Sequence, residues 1–163
     1  MRLFVAAWPS VEVADALAGL PRPEAPGLRW TRPDQWHVTL RFLGEADPDE
    51  ATAALDELAA TPAVAELGPA TRLLGKRVVV AAVAGLDDLA ASVVAATAGV
   101  GEPPEERAFT GHLTLARSKG PVPPGAVGTP VAGSFPVDEV CLVRSRTLPE
   151  GAAYETLARF RLG

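Results

Sequence analysis

The sequence predicts an α+β fold in which helices pack against antiparallel sheet. Short apolar segments typical of strands alternate along the 163 residues with three amphipathic segments typical of helices. The frame H-Φ-T-L, where Φ is aliphatic, occurs at residues 37–40 and again at 112–115. Each half of the chain thus has such a strand, neighbouring strands and a helix, and we expect an asymmetric duplication.

The first half divides into alternating strands and helices. Residues 2–8 predict a buried strand, and residues 11–20 a helix that a preceding serine caps. Residues 21–27 form a proline-rich loop. Residues 35–44 predict the strand of the first motif, and residues 47–60 a second helix opened by an Asp-Pro pair.

The second half contains the remaining strands and one helix. Residues 63–85 predict two or three strands with turns at Gly68-Pro69 and Gly75-Lys76, and residues 86–101 predict the third helix. The remaining predicted segments are a strand over 108–118, a long turn-rich loop over 119–136, and two strands over 137–146 and 152–162.

Composition excludes several classes of protein. A net charge of −5 argues against a broad basic face for duplex nucleic acid, although a local patch for a small phosphate ligand is allowed. The single cysteine, Cys141, cannot form an internal disulfide, which fits a reducing compartment. The sequence has neither a signal pattern nor an apolar run of membrane-spanning length, so we expect a cytoplasmic monomer that does not act at membranes.

The two motifs contain the only histidines of the chain. At this composition, the probability that both histidines fall in this frame by chance is about one in ten thousand. Because side chains alternate along a strand, His37 and Thr39 should share one face, as should His112 and Thr114. The aliphatic residues between them then face a core.

Two such strands related by an approximate two-fold would aim two imidazoles and two hydroxyls at one point. This arrangement suits a phosphate, because each Thr can donate to an oxygen and one His can be an acid while the other is a base. Arg117, five residues after His112, would stabilise negative charge there. Regular alternation turns Arg117 away, so it reaches the cleft only if the strand ends or bulges near Ala116.

Other chemistries fit this sequence less well. A catalytic zinc takes three protein ligands, and the chain has only two separated histidines and no Cys-x-x-Cys, so we expect no metal. The Ser-hydrolase motif G-x-S-x-G and the phosphate-binding P-loop are both absent. We therefore expect a reaction without a cofactor.

Four stretches in order resemble the two-histidine phosphoesterases, and among them the RNA 2′,3′-cyclic phosphodiesterases, also called 2′-5′ RNA ligases. They are MRLFVAAWPS, RWTRPDQWHVTLRFLGE, RAFTGHLTLAR and VCLVRSRTLPEGAAYETLARF. The resemblance implies one bilobal domain over residues 1–163, with two pseudo-symmetric antiparallel-sheet lobes, flanking helices and a central groove.

The same resemblance implies hydrolysis of a 2′,3′-cyclic phosphate at an RNA 3′ end to a 2′-phosphate, with weak 2′-5′ joining in reverse. His37 would protonate the leaving 3′ oxygen and His112 would activate water, although these two labels can be exchanged. Thr39, Thr114 and Arg117 would hold the phosphate.

The chain departs from the family pattern at Gly111, where a proline is usual before the second histidine. Two alternative functions stay open. One keeps the chemistry on a small cyclic nucleotide or ADP-ribose cyclic phosphate, and the other is a non-catalytic module that binds RNA ends.

Overall fold

The computed structural model describes all 163 residues, and its strands form one nine-stranded antiparallel sheet accompanied by three helices. The strands are β1 Arg2–Ala7, β2 Leu28–Trp30, β3 Val38–Glu45, β4 Ala63–Leu74, β5 Val78–Ala84, β6 His112–Ser118, β7 Gly133–Val137, β8 Glu139–Leu148 and β9 Gly151–Arg161. The helices are α1 Val11–Ala18, α2 Pro48–Asp56 and α3 Asp87–Ala96. The predicted α+β class is confirmed.

The two motif strands lie side by side at the centre of the sheet. The strand order is β7-β4-β5-β6-β3-β1-β8-β9, so three strands follow β6 on one side and three follow β3 on the other. Between the two central strands, Val38 pairs with Leu113 and no other residue pair is in register. The division into two lobes stays a prediction, since both groups of strands belong to one sheet.

Where β3 and β6 diverge, each exposed edge is covered by the segment that precedes the other motif. Before the first motif, β2 pairs with β6 and the Thr31 N–H donates to the Leu115 carbonyl at 2.8 Å. Before the second, the Glu102 N–H donates to the Leu43 carbonyl, also at 2.8 Å. Gly101, at φ +67°, allows this close approach because a Cβ there would meet the Leu43 carbonyl.

The main core lies between the helices and one face of the sheet. A cluster of 28 buried residues joins helix side chains such as Leu17, Leu55 and Val93 to strand side chains such as Val38 and Leu113. Burying each of these aliphatic side chains stabilises the fold by roughly 1.5–3 kcal/mol. Because side chains alternate along a strand, the polar residues of both motifs lie on the opposite face.

The helix starts follow the sequence. The Ser10 hydroxyl accepts a hydrogen bond from the Val13 N–H at 3.3 Å, and the Asp47 carboxylate accepts one from the Asp49 N–H at 2.8 Å. Pro48 occupies the first position of α2, where no N–H is needed. None of the three helices has the length and apolar character needed to cross a membrane.

The predicted turn at Gly68-Pro69 is wrong, because the chain continues there as the single strand β4. Residues 129–131 pair with this irregular stretch and hold it extended. The Thr71 N–H donates to the Thr129 carbonyl at 2.8 Å, and the Val131 N–H donates to the Pro69 carbonyl at 2.9 Å. The turn after Leu74 is confirmed.

The structure contains two strands that the sequence did not indicate. Strand β7 lies inside the stretch predicted to be a loop, and as an edge strand it tolerates Pro136, whose missing N–H interrupts no ladder on its outer side. Strand β2 has three residues, too few for a periodic pattern, and it forms only because β6 offers it an open edge.

Candidate active site

A cavity of about 330 Å³ opens on the sheet face opposite the helices, within the range typical of small-ligand sites. It is centred on the two motif strands. The five residues that the sequence singles out all line it: His37, Thr39, His112, Thr114 and Arg117. Their catalytic and binding roles stay predictions.

The register of β3 against β6 explains why both motifs meet at one point. Val38 pairs with Leu113, and the residues on either side of this pair, His37 and Thr39 in one motif and His112 and Thr114 in the other, all line the cavity. The approximate two-fold relation between the motifs stays a prediction.

Both imidazole rings are held by the same backbone device. The Nδ1–H of His37 donates to the Gln35 carbonyl at 2.8 Å, and the Nδ1–H of His112 donates to the Thr110 carbonyl at 2.7 Å. In each motif the acceptor lies two residues before the histidine. With Nδ1 engaged in this way, Nε2 is the nitrogen that can exchange a proton with a ligand. The Nε2 of His37 is 3.0 Å from the Thr39 hydroxyl.

Arg117 reaches the cavity because β6 contains the bulge on which its placement depended. Val80 of β5 pairs with Thr114 and the adjacent Val79 pairs with Ala116, so Leu115 has no partner in β5. One extra residue of β6 is accommodated there, and the alternation of side chains reverses after it. Arg117 consequently lines the same cavity as Thr114.

Strand β3 has a matching bulge after the first motif. Its pairing with β1 skips one residue between Thr39 and Arg41, so Phe42 lines the cavity while Arg41 turns towards α3. There Arg41 is buried and donates to the Thr97 hydroxyl at 2.8 Å. Phe42 is therefore the first-motif counterpart of Arg117, five residues after its histidine. The Arg2 guanidinium stacks over the Phe42 ring, 4.7 Å from the ring centre.

His37 sits in an aromatic enclosure. The centres of the rings of Phe4, Trp8 and Tyr154 lie 4.8, 5.4 and 5.0 Å from the centre of its imidazole. Burial lowers the pKa of His37 to about 4, although its hydrogen bond to a backbone carbonyl acts in the opposite direction. At neutral pH the ring is therefore uncharged in the free protein.

Charges at the cavity act in the same direction as burial. Electrostatic repulsion from Arg117 and from the His112 ring further lowers the pKa of His37. Burial raises the pKa of the Tyr154 phenol, and the nearby Arg117 partly offsets that effect. Tyr154 is therefore a protonated hydrogen-bond donor at neutral pH, next to both the enclosed ring and the arginine.

Sequence reasoning missed part of the cavity wall. The additional lining residues include three arginines, Arg2, Arg29 and Arg32, and the aromatic residues Phe4, Phe42 and Tyr154. A signal existed for Phe42, because it occupies the position that Arg117 has in the second motif. The others come from β1, β9 and the segment around β2, whose contact with the motifs is set by the sheet order.

Comparison with known proteins fits this geometry. A family model described as LigT-like phosphoesterase matches residues 8–67. The RNA 2′,3′-cyclic phosphodiesterase of Thermus thermophilus is 32% identical over 186 aligned positions, which cover 99% of this chain and 90% of that protein. The chain belongs to the LigT-like phosphoesterase family.

Other family members differ in length. The RNA 2′,3′-cyclic phosphodiesterase of Geobacillus stearothermophilus is 29% identical over 84% of this chain, which spans only 48% of that relative. The crystal structure of a Thermus thermophilus protein superimposes with a TM-score of 0.81 at 32% identity, covering 99% of this chain and 97% of the other. E. coli LigT, solved in complex with 3′-AMP, gives 0.76 at 26% identity with the same coverage.

Proposed function

We propose that the chain is an RNA 2′,3′-cyclic phosphodiesterase, which opens the cyclic phosphate at an RNA 3′ end to a 2′-phosphate. The observation that carries this proposal is the pair of equivalent imidazoles that face one cavity. Membership of a phosphoesterase family supports it, as do the names of the Thermus and Geobacillus relatives.

Hydrolysis needs one base and one acid on opposite sides of the phosphorus atom. Water attacks the phosphorus atom and loses a proton to one Nε2, while the bond to the 3′ oxygen breaks and that oxygen receives a proton from the other Nε2. Each such proton transfer contributes roughly 10²–10⁴-fold in rate. The Thr39 and Thr114 hydroxyls and the Arg117 guanidinium are suited to bind the phosphoryl oxygens, where negative charge grows.

The protonation state of His37 in the free protein affects which histidine can act as the acid. His37 is neutral at pH 7 because burial lowers its pKa to about 4. A bound phosphate anion raises that pKa, because it brings negative charge next to the ring. If His37 protonates the leaving oxygen, it therefore takes up its proton together with the substrate. NMR titration of the His37 ring with and without phosphate measures this proton uptake. If no uptake is observed, His37 is the base and His112 is the acid.

The reverse reaction uses the same groups. A 5′-hydroxyl that replaces water as the nucleophile would be joined to the cyclic phosphate in a 2′-5′ bond. Since water is far more concentrated than any RNA end, we expect joining to be weak beside hydrolysis.

The test is turnover of an oligonucleotide with a 2′,3′-cyclic end in the presence of EDTA. We expect a 2′-phosphate product, identified by chromatography against 2′- and 3′-phosphate standards. Turnover of small cyclic nucleotides or ADP-ribose cyclic phosphate alone would instead support the small-ligand alternative. Binding of the oligonucleotide without turnover would support a non-catalytic module that recognises RNA ends.

A further inference from the structure

The cavity carries more positive charge than one cyclic phosphate needs. The whole chain has a net charge of −5, yet four arginines and no carboxylate line the cavity. A cyclic phosphodiester bears a single negative charge, and Arg117 beside the histidines already faces it. A cleft lined by several arginines and by no carboxylate attracts further anionic groups.

Among these additional arginines, Arg29 is the one whose strand pairs with that of Arg117. On β2 it is the direct antiparallel partner of Arg117 on β6. Opposite residues in such a pair have Cα atoms about 4.5–5.5 Å apart, and their side chains point to the same face. This spacing is of the same order as the distance between successive phosphates of one RNA strand.

The guanidinium of Arg29 is held in place without being neutralised. It donates through Nη2 to the Glu150 carbonyl at 2.7 Å, at the tip of the β8–β9 hairpin. Gly151 lies against it: a Cβ there would be 3.5 Å from Nη1. A carbonyl fixes the orientation and leaves the full positive charge, and the other N–H groups of the fork stay available to a ligand.

Arg32 extends this patch along the same hairpin. Its guanidinium lies 3.4 Å from the carbonyls of Glu150 and Ala152, and it also pairs with Asp34 at 3.2 Å on the exposed side. The Gln35 amide binds the Ala152 carbonyl at 2.9 Å. The segment before the first motif thus presents donors beside the second motif's arginine.

We propose that Arg29, assisted by Arg32, forms a second phosphate subsite that binds the 5′-phosphate of the terminal nucleotide. This subsite makes the cavity select an RNA end over a free nucleoside cyclic phosphate. The inference rests on the proposed function, because it locates the terminal cyclic phosphate at the two histidines.

The experiment compares three substrates that differ by one group at a time. They are adenosine 2′,3′-cyclic phosphate, the same compound with a 5′-phosphate, and the dinucleotide that ends in the cyclic phosphate. We expect kcat/KM of the wild-type protein to rise by about 10–100-fold from the first compound to both others, the size expected of one charge-assisted contact. Arg29→Ala should remove most of this gain, and Arg29→Lys should keep part of it.

Arg72→Ala is the matched control, because Arg72 is an exposed arginine on β4 outside the cavity. It changes the net charge equally and should leave all three rates as in the wild-type protein. Thermal melting of each variant separates loss of the subsite from loss of the hairpin that Arg29 supports. Equal wild-type rates for the three compounds would overturn the inference. The inference would also be overturned if a folded Arg29→Ala protein kept the increase in kcat/KM, or if the increase appeared only with the dinucleotide.

Failure of the proposed function is distinguishable from failure of the subsite. If the wild-type protein hydrolyses none of the three compounds, the proposed function fails. Calorimetric binding of adenosine 3′,5′-bisphosphate against 3′-AMP then still decides the subsite. Tighter binding of the bisphosphate that disappears in Arg29→Ala supports it, and equal binding of the two ligands overturns it.

Discussion

The two histidine motifs share one backbone design and differ in what surrounds it. Both rings donate Nδ1–H to a carbonyl two residues earlier. Both strands bulge after the motif and turn the fifth residue into the cavity. Yet His37 is enclosed by three aromatic rings, and its fifth residue is Phe42 rather than an arginine. The backbone holds both rings alike, but burial in the aromatic enclosure lowers the pKa of His37.

The largest expected effect comes from removing either ring. If both motifs contribute a proton-transfer group, His37→Ala and His112→Ala should each lower kcat by at least about 10²–10⁴-fold. Initial rates on a cyclic-ended oligonucleotide measure this loss. Circular dichroism and phosphate binding check the fold, and His37→Gln repeats the test with less disturbance of the aromatic enclosure. Near-full activity in either folded variant would exclude a mechanism with two histidines.

The next effect distinguishes the two fifth residues. Arg117→Ala should lower kcat about 10²–10³-fold, the range found when a group that stabilises developing charge is removed. Phe42→Ala should act mainly on KM, because an aromatic ring offers a face for stacking and no charge. Arg117→Lys should recover part of the rate. Equal effects of the two alanine variants on kcat would contradict the assignment of charge stabilisation to one motif only.

A smaller effect is expected at Gly111, before the second motif. A Cβ there would collide with the Val83 carbonyl, whose residue also donates its N–H to the Gly111 carbonyl at 2.9 Å. Overpacking of this kind costs roughly 1–3 kcal/mol. Gly111→Ala should therefore lower the urea midpoint and displace His112. Gly99→Ala is the control, because nothing lies within 4 Å of the added Cβ, and it should leave the midpoint nearly unchanged.

A further effect concerns stability and its dependence on pH. The pKa of His37 falls from 6.5 to about 4 on folding, so below pH 6.5 the unfolded chain binds a proton that the folded one does not. This contribution to stability is complete above pH 6.5 and is lost as the pH falls towards 4. Urea unfolding of wild-type and His37→Gln proteins across this range should give a steeper loss for the wild type.

His112→Gln is the matched control for the pH experiment. It should keep most of the wild-type dependence, because the burial that shifts the pKa acts on the ring of His37. If His37→Gln and the wild-type protein lose stability in parallel, the enclosure of that ring does not govern its protonation.

The same comparison explains what could be predicted from the sequence. The alternation of side chains along a strand identified the faces of both motif strands. Regular alternation would turn Arg117 away from the cleft, so its place there required a bulge near Ala116. The bulge itself could not be located, since it depends on the pairing of β6 with β5. The aromatic wall was missed for a related reason: Phe4 and Tyr154 join His37 only through the order of strands β3, β1, β8 and β9.

Short or irregular strands could not be predicted, because their local sequence does not favour a strand and long-range pairing forms it. Strand β7 contains Gly133 and Pro136, which favour turns in isolation, and its extended conformation is imposed by pairing with β4. The proposed arginine subsite depends on a similar long-range pairing. Arg29 has no distinguishing signal in the sequence, and it becomes the neighbour of Arg117 only when β2 docks on β6.

The single registered pair between β3 and β6, Val38 with Leu113, consists of the residues that directly follow the two histidines. Cohesion of the sheet across its middle and the placement of the two imidazoles therefore depend on the same few backbone atoms. A substitution that loosens this seam would widen the gap between the rings as well as weaken the sheet. Changes confined to the outer walls of the cavity, by contrast, leave this central pairing intact.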